Sequence, residues 1–366
     1  MSDLYVNSVL FHLEPVRKLL EDDRVSEVLI NGPEEIWAEK DGKLILVNGL
    51  SFGGEEELHA ACINLAQYNN KRLDEENPRI DGLLPDGSRV HIVMPPVVEV
   101  THVAIRKFQS KTFGLKDLIS LNFLTEDAAR FLKVATLMQK NIVVSGGTSS
   151  GKTTLLNVLS SFLGDEERIV LLEDSSELQL RNRHVVAMST RPPDLHGRGE
   201  VTMRELLHST LRLRPDRILV GEVRGPEALD LLNALNSGHG GTMTSLHANT
   251  PRQALAKLET LCLFAGEDVP ARGIRTAIAS AVDVVVQCTR LRDGTRRITS
   301  IAEVGDIVDE HGNYQVTELF SLRAGGLDAF GKIIGRLQGR GVLPSFYEDA
   351  KARGWVIKKI AFDIRE

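Results

Sequence analysis

The sequence predicts an α/β protein: a large domain with a mostly parallel sheet, preceded by a smaller α+β domain. After residue 123, apolar strands alternate with helical segments. Continuous apolar strands joined by helical crossovers are typical of parallel sheets covered on both faces. One of these strands leads into a glycine-rich loop and a helix at residues 141–154. Before residue 109, short strands are separated by turns instead, which favours a small mixed domain.

The small domain is predicted from its turns and one helical stretch. Asp41-Gly42 and Asp86-Gly87 are dipeptides typical of tight turns between strands. Apolar residues at helical spacing between them indicate one longer helix. The predicted elements of this domain, which covers residues 1–109, are a helix at 15–22, strands across 26–47, a helix at 55–70, and strands within 78–96 and 101–108.

The large domain is predicted to cover residues 123–320, after a linker at 110–122. Its first helix begins after Thr125, a good N-cap, with Glu126 and Asp127 in the first turn. The pattern at 321–366 gives no clear role, so we treat these residues as a C-terminal extension. The predicted strands are 142–146, 168–174, 184–190, 217–222, 242–248 and 282–288, and the helices between them include 202–213, 225–237 and 251–264.

The composition is that of an ordinary globular protein, with 42% hydrophobic residues, 26% charged residues and a net charge of −6. This charge argues against broad nonspecific binding to nucleic acid, which needs a basic surface. No apolar run approaches the roughly 18 residues that span a bilayer, and the start lacks a basic-then-apolar signal. We therefore expect a cytoplasmic protein. The scattered cysteines, Cys62, Cys262 and Cys288, argue against a cysteine-based zinc site.

The strongest motif is Gly146-x₄-Gly151-Lys152-Thr153, the spacing of a phosphate-binding loop. Glycines let backbone N–H groups turn inward around an anion, and the following helix points its positive end at the same phosphates. Lys152 is expected on the β- and γ-phosphates of ATP, and the Thr153 hydroxyl on Mg²⁺. The alternative is a glycine-rich turn that binds no nucleotide. The residues predicted to bind the nucleotide here are Gly146, Gly147, Thr148, Ser149, Ser150, Gly151, Lys152, Thr153 and Thr154.

Acidic residues follow two of the predicted strands. Glu222 ends the strand at 217–222, where a carboxylate would hold Mg²⁺ or polarise the attacking water. Glu173 and Asp174 end another strand, and Glu177 follows. The carboxyl ends of parallel strands face one crevice, where ligands bind in open α/β sheets. The alternatives are a solvated pair of Glu222 with Arg224, and an acidic cap on the next helix for Asp174 and Glu177.

Two histidines and two arginines complete the candidates. His239 precedes the strand at 242–248 and His247 lies at its end. A histidine here could sense the γ-phosphate, and His239 is also expected to bind the nucleotide; the alternative for each is packing in the core. Arg89 and Arg106 lie in the small domain. An arginine can stabilise the charge that develops on a transferred phosphate, although most such arginines are simply at the surface.

Together the stretches GGTSSGKTT and LLEDSSEL and the run at 189–255 resemble the type II/type IV secretion ATPase superfamily. Within it, they most resemble the tight-adherence (Tad) pilus ATPases and the conjugation-type secretion ATPases. The resemblance implies a RecA-like P-loop NTPase domain with an Asp box around Glu173, an atypical Walker B at Gly221-Glu222 and a His box from His239 to His247. It also implies that Arg89 and Arg106 reach the nucleotide. Three scattered cysteines cannot build the tetracysteine metal module of the type II branch.

The resemblance further implies a homo-hexameric cytoplasmic ATPase that powers pilus assembly or protein secretion, touching the inner membrane through platform proteins. Glu222, Glu173, His247, Arg89 and Arg106 are its expected catalytic residues, with Thr153 and Glu222 on the metal. The sequence leaves open how Glu173 and Glu222 divide their roles. It also leaves two rivals: a RecA-like nucleic-acid motor, disfavoured by the acidic charge, and a nucleotide-gated scaffold without turnover.

Overall fold

Two sheets organise the chain, and the computed structural model describes residues 3–108, 113–194, 197–329 and 331–363. The chain divides into two units, Met1–Lys111 with Pro193–Gly199, and Thr112–Pro192 with Glu200–Glu366. The first unit corresponds to the predicted α+β domain and the second contains the predicted parallel sheet. The α/β prediction is therefore confirmed.

The described part of the first unit has a six-stranded antiparallel sheet, in the order β3-β2-β1-β6-β5-β4. Asp41 and Gly42 both have positive φ, 51° and 76°, as a two-residue hairpin turn requires. One face of the sheet is buried beneath the helices. The elements are α1 (Asp3–His12), α2 (Arg17–Glu21), β1 (Val25–Asn31), β2 (Glu35–Lys40), β3 (Lys43–Leu46), α3 (Glu55–Tyr68), β4 (Arg79–Leu83), β5 (Arg89–Val93) and β6 (His102–Arg106).

Helix α1 was not predicted from the sequence. Its apolar residues do not form one stripe: Val9 is buried, but Phe11 is 76% exposed. A helix without a clear apolar face gives no periodic signal. Tertiary contacts hold it instead, including the hydrogen bond from the Asn64 amide on α3 to the Ser8 hydroxyl, 2.7 Å long.

The described part of the second unit has a nine-stranded sheet, in the order β15-β14-β13-β12-β7-β11-β10-β8-β9. The six strands from β12 to β9 in that order are parallel, and β13, β14 and β15 add an antiparallel edge. The mostly parallel sheet is thus confirmed. The strands are β7 (Ile142–Gly146), β8 (Ile169–Glu173), β9 (Val185–Ser189), β10 (Arg217–Val220), β11 (Met243–Leu246), β12 (Val284–Arg290), β13 (Arg296–Val308), β14 (Tyr314–Leu327) and β15 (Ile333–Gly339).

Helices cover both faces of this sheet and form two separate apolar cores. Thr125 caps α5 as predicted, since its side-chain oxygen accepts from the Ala128 amide at 3.4 Å. None of the helices within the described ranges combines the length and apolar character that crossing a bilayer requires. The helices are α4 (Leu115–Ser120), α5 (Glu126–Leu137), α6 (Lys152–Ser160), α7 (Met203–Thr210), α8 (Glu227–Asn236), α9 (Pro251–Leu263), α10 (Ala271–Ala281) and α11 (Tyr347–Ala352).

Two expected boundaries differ from the structure. The expected linker at 110–122 contains α4, whose Leu118 is buried in the core of the second unit, while residues 109–112 lie outside the described residues. The expected break at 320 cuts through β14. Phe346 and Phe362 from the C-terminal segment pack against Phe131, with ring centroids 5.9 and 6.0 Å away. The described residues at 321–329 and 331–363 therefore contribute to the second unit's fold.

Candidate nucleotide-binding site

The phosphate-binding loop joins the fully buried strand β7 to α6, and two glycines in it are required by the packing. A Cβ on Gly146 would overlap the Ser150 hydroxyl and the Cys288 carbonyl oxygen. Gly151 has φ +99°, and a Cβ there would lie 2.9 Å from the Phe123 ring. The loop can therefore turn tightly and aim its N–H groups at an anion in front of α6.

Several contacts inside the loop hold this turn. Ser149 has φ +55°, and its carbonyl accepts from Arg296 Nε at 2.7 Å. The Ser150 hydroxyl donates to the Gly147 carbonyl at 2.8 Å. Gly147 has open space where a side chain would stand. The predicted loop residues Gly147, Thr148, Ser149 and Ser150 precede Thr153 and Thr154, which are half-buried in the first turn of α6.

Lys152 lies folded over the loop and is only 8% exposed. Its Nζ donates to the carbonyls of Gly146 and Gly147 at 3.0 Å each, and lies 3.4 Å from His247 Nε2. A buried ammonium needs such acceptors. Phosphate oxygens are stronger acceptors than carbonyls because they are charged, so Lys152 is placed to exchange the two carbonyls for a phosphate.

Glu222 follows β10 and faces His247, which follows the neighbouring strand β11. Glu222 Oε1 lies 2.9 Å from His247 Nε2, and Oε2 accepts from Arg224 at 2.9 Å. Burial raises the pKa of the Glu222 carboxyl, but Arg224, His247 and Lys152 outweigh burial and hold that pKa below its ordinary value. Glu222 is therefore ionised at neutral pH. Glu222 therefore pairs with Arg224 and also lies beside His247, so the two interpretations offered by the sequence do not exclude each other.

His247 Nε2 faces both Glu222 and Lys152 and can satisfy only one of them. With a proton on Nε2, the ring is attracted by charge to Glu222 Oε1, which lies within ion-pair distance but has no hydrogen-bond partner among the described residues. Without that proton, Nε2 accepts from Lys152. The protonated form of this nitrogen is the one that could also donate to a phosphate. Movement of Lys152 onto a nucleotide would remove the competing contact.

Packing against the neighbouring strand favours glycine at position 221, where the Walker B pattern usually has an acidic residue. A Cβ at this position would lie 3.1 Å from Glu173 Cγ on the neighbouring strand β8. A larger residue would therefore require the Glu173 side chain to shift by a few tenths of an ångström. Glu173 is only 4% exposed, and its Oε1 accepts from the backbone amides of Glu177 and Leu178 at 3.0 and 2.9 Å.

These contacts change the expected roles of the acidic residues after β8. Glu173 holds the backbone of the following loop, whereas Glu177 Oε2 accepts from the Thr153 hydroxyl at 3.3 Å. The sequence predicts that Glu173 lies in the site, and it leaves Glu177 as either a residue of the same crevice or an acidic cap on the next helix. The cap is wrong, because residues 174–184 contain no helix. The sequence does contain an indication of the role of Glu177, because it is an acidic residue four positions after the end of β8.

Oxygen atoms of Thr153, Glu177 and Glu222 are ligands of the kind that Mg²⁺ prefers. Within the described residues no group of three or more histidine, cysteine and acidic side chains could hold a metal by itself. Mg²⁺ bound through few protein oxygens, together with phosphate oxygens and water, fits this donor set. The cysteines do not contribute, since all three are buried and burial raises the pKa of each to about 12.

His239 does not reach this site within the chain. It precedes the amino end of β11, whereas the phosphate-binding loop follows the carboxyl end of the parallel neighbour β7. Its Nδ1 lies 3.2 Å from the Ser237 hydroxyl, and its carbonyl accepts from Thr242 at 3.0 Å. The expectation that His239 binds the nucleotide beside His247 is therefore corrected. The four residues of β11 separate the two histidines.

Arg89 and Arg106 lie in the first unit, directly opposite each other on β5 and β6. Glu27 on β1 faces Arg106 from the other side in the same register. The three side chains therefore share one face of that sheet. The role of the two arginines at a nucleotide stays a prediction.

Residues 10–324 match the family model described as Type II/IV secretion system protein. A putative conjugal transfer protein of Mycobacterium tuberculosis is 37% identical over 297 residues, covering 79% of this chain and 83% of that protein. The type IV secretion system protein VirB11 of Bartonella henselae is 34% identical and covers 82% of this chain and 94% of its own length. The Legionella pneumophila ATPase DotB shares the fold, with a TM-score of 0.56 at 20% identity over 83% of this chain and 82% of its own.

Replacing Lys152 by alanine should weaken ATP binding by roughly 10- to 100-fold, the scale of a lost hydrogen bond to a charged group. Calorimetric titration with ATP and Mg²⁺ measures this. Lys133→Ala is the control, because Lys133 is exposed on α5. Equal ATP affinity in wild type and Lys152→Ala would show that the loop does not bind the nucleotide through Lys152.

Two substitutions, Glu173→Ala and Glu177→Ala, should distinguish a residue that stabilises the fold from one that contributes to ATP turnover. Loss of the Glu173 carboxylate leaves the backbone amides of Glu177 and Leu178 without their acceptor. This should lower the free energy of unfolding by about 1–3 kcal/mol. Glu177→Ala should keep that stability and lose ATP turnover by roughly 10²-fold. Denaturant unfolding and a steady-state phosphate-release assay check both. Full turnover in Glu177→Ala would return the catalytic role to Glu173.

Proposed function

Because this chain belongs to the type II/IV secretion system protein family, we propose that it hydrolyses ATP to drive protein secretion or pilus assembly across the bacterial envelope. The observation that carries the proposal is the convergence of Lys152, His247 and Glu222 beside the phosphate-binding loop. A cation, a proton donor and carboxylates at one end of a phosphate site are the parts that phosphoryl transfer to water requires.

In this proposal the loop amides and Lys152 bind the β- and γ-phosphates. His247, whose Nε2 faces Glu222 before the nucleotide binds, then donates from Nε2 to a γ-phosphate oxygen. Mg²⁺, when bound through Thr153 and the nearby carboxylates, neutralises charge on the phosphate oxygens. These groups act by positioning and by charge, which supply most of the catalysis in phosphoryl transfer.

The two carboxylates divide the remaining work. Both oxygens of Glu222 face cations or a ring nitrogen, and its lowered pKa makes it a weak base. It therefore fits the role of placing Arg224 and His247 in the site, and it would hold Mg²⁺ when the metal is bound. Glu177, whose Oε2 accepts from the Thr153 hydroxyl in the first turn of α6, is the better candidate to polarise the attacking water.

The proposal includes a homo-hexamer in which Arg89 and Arg106 approach the γ-phosphate on closure of the ring. Its support is the family resemblance and the pairing of the two arginines as register partners on β5 and β6. It also places the motor in the cytoplasm, docked on platform proteins of the inner membrane. The names of the relatives, conjugal transfer and type IV secretion, support a secretion apparatus as the partner.

Wild-type protein with Mg²⁺ and ATP should release phosphate steadily, and Glu222→Gln should release it about 10²-fold more slowly. Glutamine can donate to His247 Nε2, so this variant should also lose part of its preference for a nonhydrolysable ATP analogue over ADP. Glu200→Gln is the control, since Glu200 is exposed before α7. A wild-type protein that binds ATP through Lys152 yet never releases phosphate would support the scaffold instead.

A further inference from the structure

His247 lies just beyond the end of β11, where the pairing of this strand with β7 stops. The last register partners are Leu246 and Ser145, and His247 is the next residue. The hydrogen bonds of this ladder therefore end before the histidine. The position of its ring relative to the phosphate-binding loop depends on what holds the residues that follow it, and the first of these is Ala248.

Two side chains from neighbouring strands donate to the Ala248 carbonyl. Ser145 on β7 donates from its hydroxyl at 3.3 Å. Gln287 on β12 donates from Nε2 at 3.2 Å. These two residues are register partners, and they are 0% and 3% exposed. Two buried donors therefore meet on the one carbonyl that follows His247.

The same Gln287 nitrogen also reaches the base of the phosphate-binding loop. Nε2 donates to the Cys288 carbonyl at 3.3 Å, and a Cβ on Gly146 would lie only 2.5 Å from that carbonyl oxygen. An amide nitrogen carries two hydrogens, so it can serve both carbonyls at once. The Gln287 amide therefore links the chain after His247 to the backbone that packs against Gly146.

Stability does not explain a glutamine at this position. Its Oε1 is buried and has no hydrogen-bond partner within the part of the chain that the structure describes. A buried carbonyl oxygen without a donor is unfavourable. Turning the amide round would place Oε1 against two carbonyl oxygens, which cannot donate. An apolar side chain of the same size would leave no oxygen unpaired, so the two donated hydrogen bonds point to another role.

We propose that Gln287 is a positioning residue, which sets the distance between His247 and the phosphate-binding loop through the Ala248 and Cys288 carbonyls. The proposal deepens the proposed function and rests on it, because it takes His247 as the group that donates to the γ-phosphate. Gln287 acts through His247 and not by contact with the nucleotide. Its loss should therefore weaken the binding of a γ-phosphate and leave the binding of the β-phosphate unchanged.

The test compares ADP with a nonhydrolysable ATP analogue, both with Mg²⁺, by calorimetric titration of the full chain. Gln287→Met keeps the length of the side chain and removes both donated hydrogen bonds. It should weaken binding of the analogue by about 10-fold, the scale of one hydrogen bond to a charged group, and keep the affinity for ADP within about 2-fold. The kcat of phosphate release should also fall by about 10-fold, because a displaced group contributes less to the reaction.

Gln338→Met is the matched control. Gln338 lies on β15, the edge strand of the same sheet, and its Oε1 is also buried without a hydrogen-bond partner among the residues described. The exchange of glutamine for methionine is therefore the same, but the position is remote from β7 and β11. This variant should leave both affinities and kcat unchanged.

Ser145→Ala decides the proposal if Gln287→Met melts at a much lower temperature than wild type. It removes the other donor to the Ala248 carbonyl, and it should weaken binding of the analogue by about 3-fold without changing the affinity for ADP. In the variant that decides, a ratio of the two affinities that is unchanged or shifted toward the analogue overturns the proposal.

The same titrations distinguish this proposal from the proposed function. A wild-type chain that binds both ligands but releases no phosphate overturns the proposed ATP hydrolysis, while the ratio of affinities still decides the role of Gln287. A wild-type chain that binds neither ligand overturns the nucleotide site, and the role of Gln287 with it.

Discussion

The parallel pairing of β7 with β11 and β12 is the constraint on which the candidate site depends. Because these strands run in one direction, the segments that follow them meet at one edge of the sheet. The phosphate-binding loop, His247 and the β12–β13 hairpin all arise there. The same direction excludes His239, which lies before its strand.

Close packing at the same edge fixes the residue types. Gly146 is needed because Cys288 and Ser150 occupy the space of a side chain, and Gly221 leaves Glu173 room that a side chain would narrow. Glu173 in turn holds the amides of Glu177 and Leu178. The glycines therefore matter for the carboxylates as well as for the phosphate, since each allows a neighbouring strand end to approach.

Much of this arrangement was predictable from the sequence. Local sequence patterns predict the parallel strands, the phosphate-binding loop and the position of Glu222. Contacts with distant parts of the chain do not change these features. The roles of Glu173 and Glu177 were not predictable, because both are acids in one stretch and only the loop's path decides which one the backbone amides occupy. Phe362 packs against Phe131, which is more than 200 residues away in the chain. A local sequence pattern cannot predict a contact between residues so far apart. The direction of the predicted strand alone is enough to exclude His239 from the site, because this residue precedes the strand.

A crystal structure with a nonhydrolysable ATP analogue and Mg²⁺ would decide whether Lys152, His247 and Glu222 form the γ-phosphate end of a nucleotide site. In it, Lys152 Nζ should lie on the β- and γ-phosphates instead of the Gly146 and Gly147 carbonyls, and His247 Nε2 should lie about 2.9 Å from a γ-phosphate oxygen. A γ-phosphate lying away from His247, with Lys152 still on the two carbonyls, would show that these residues do not form that end of the site.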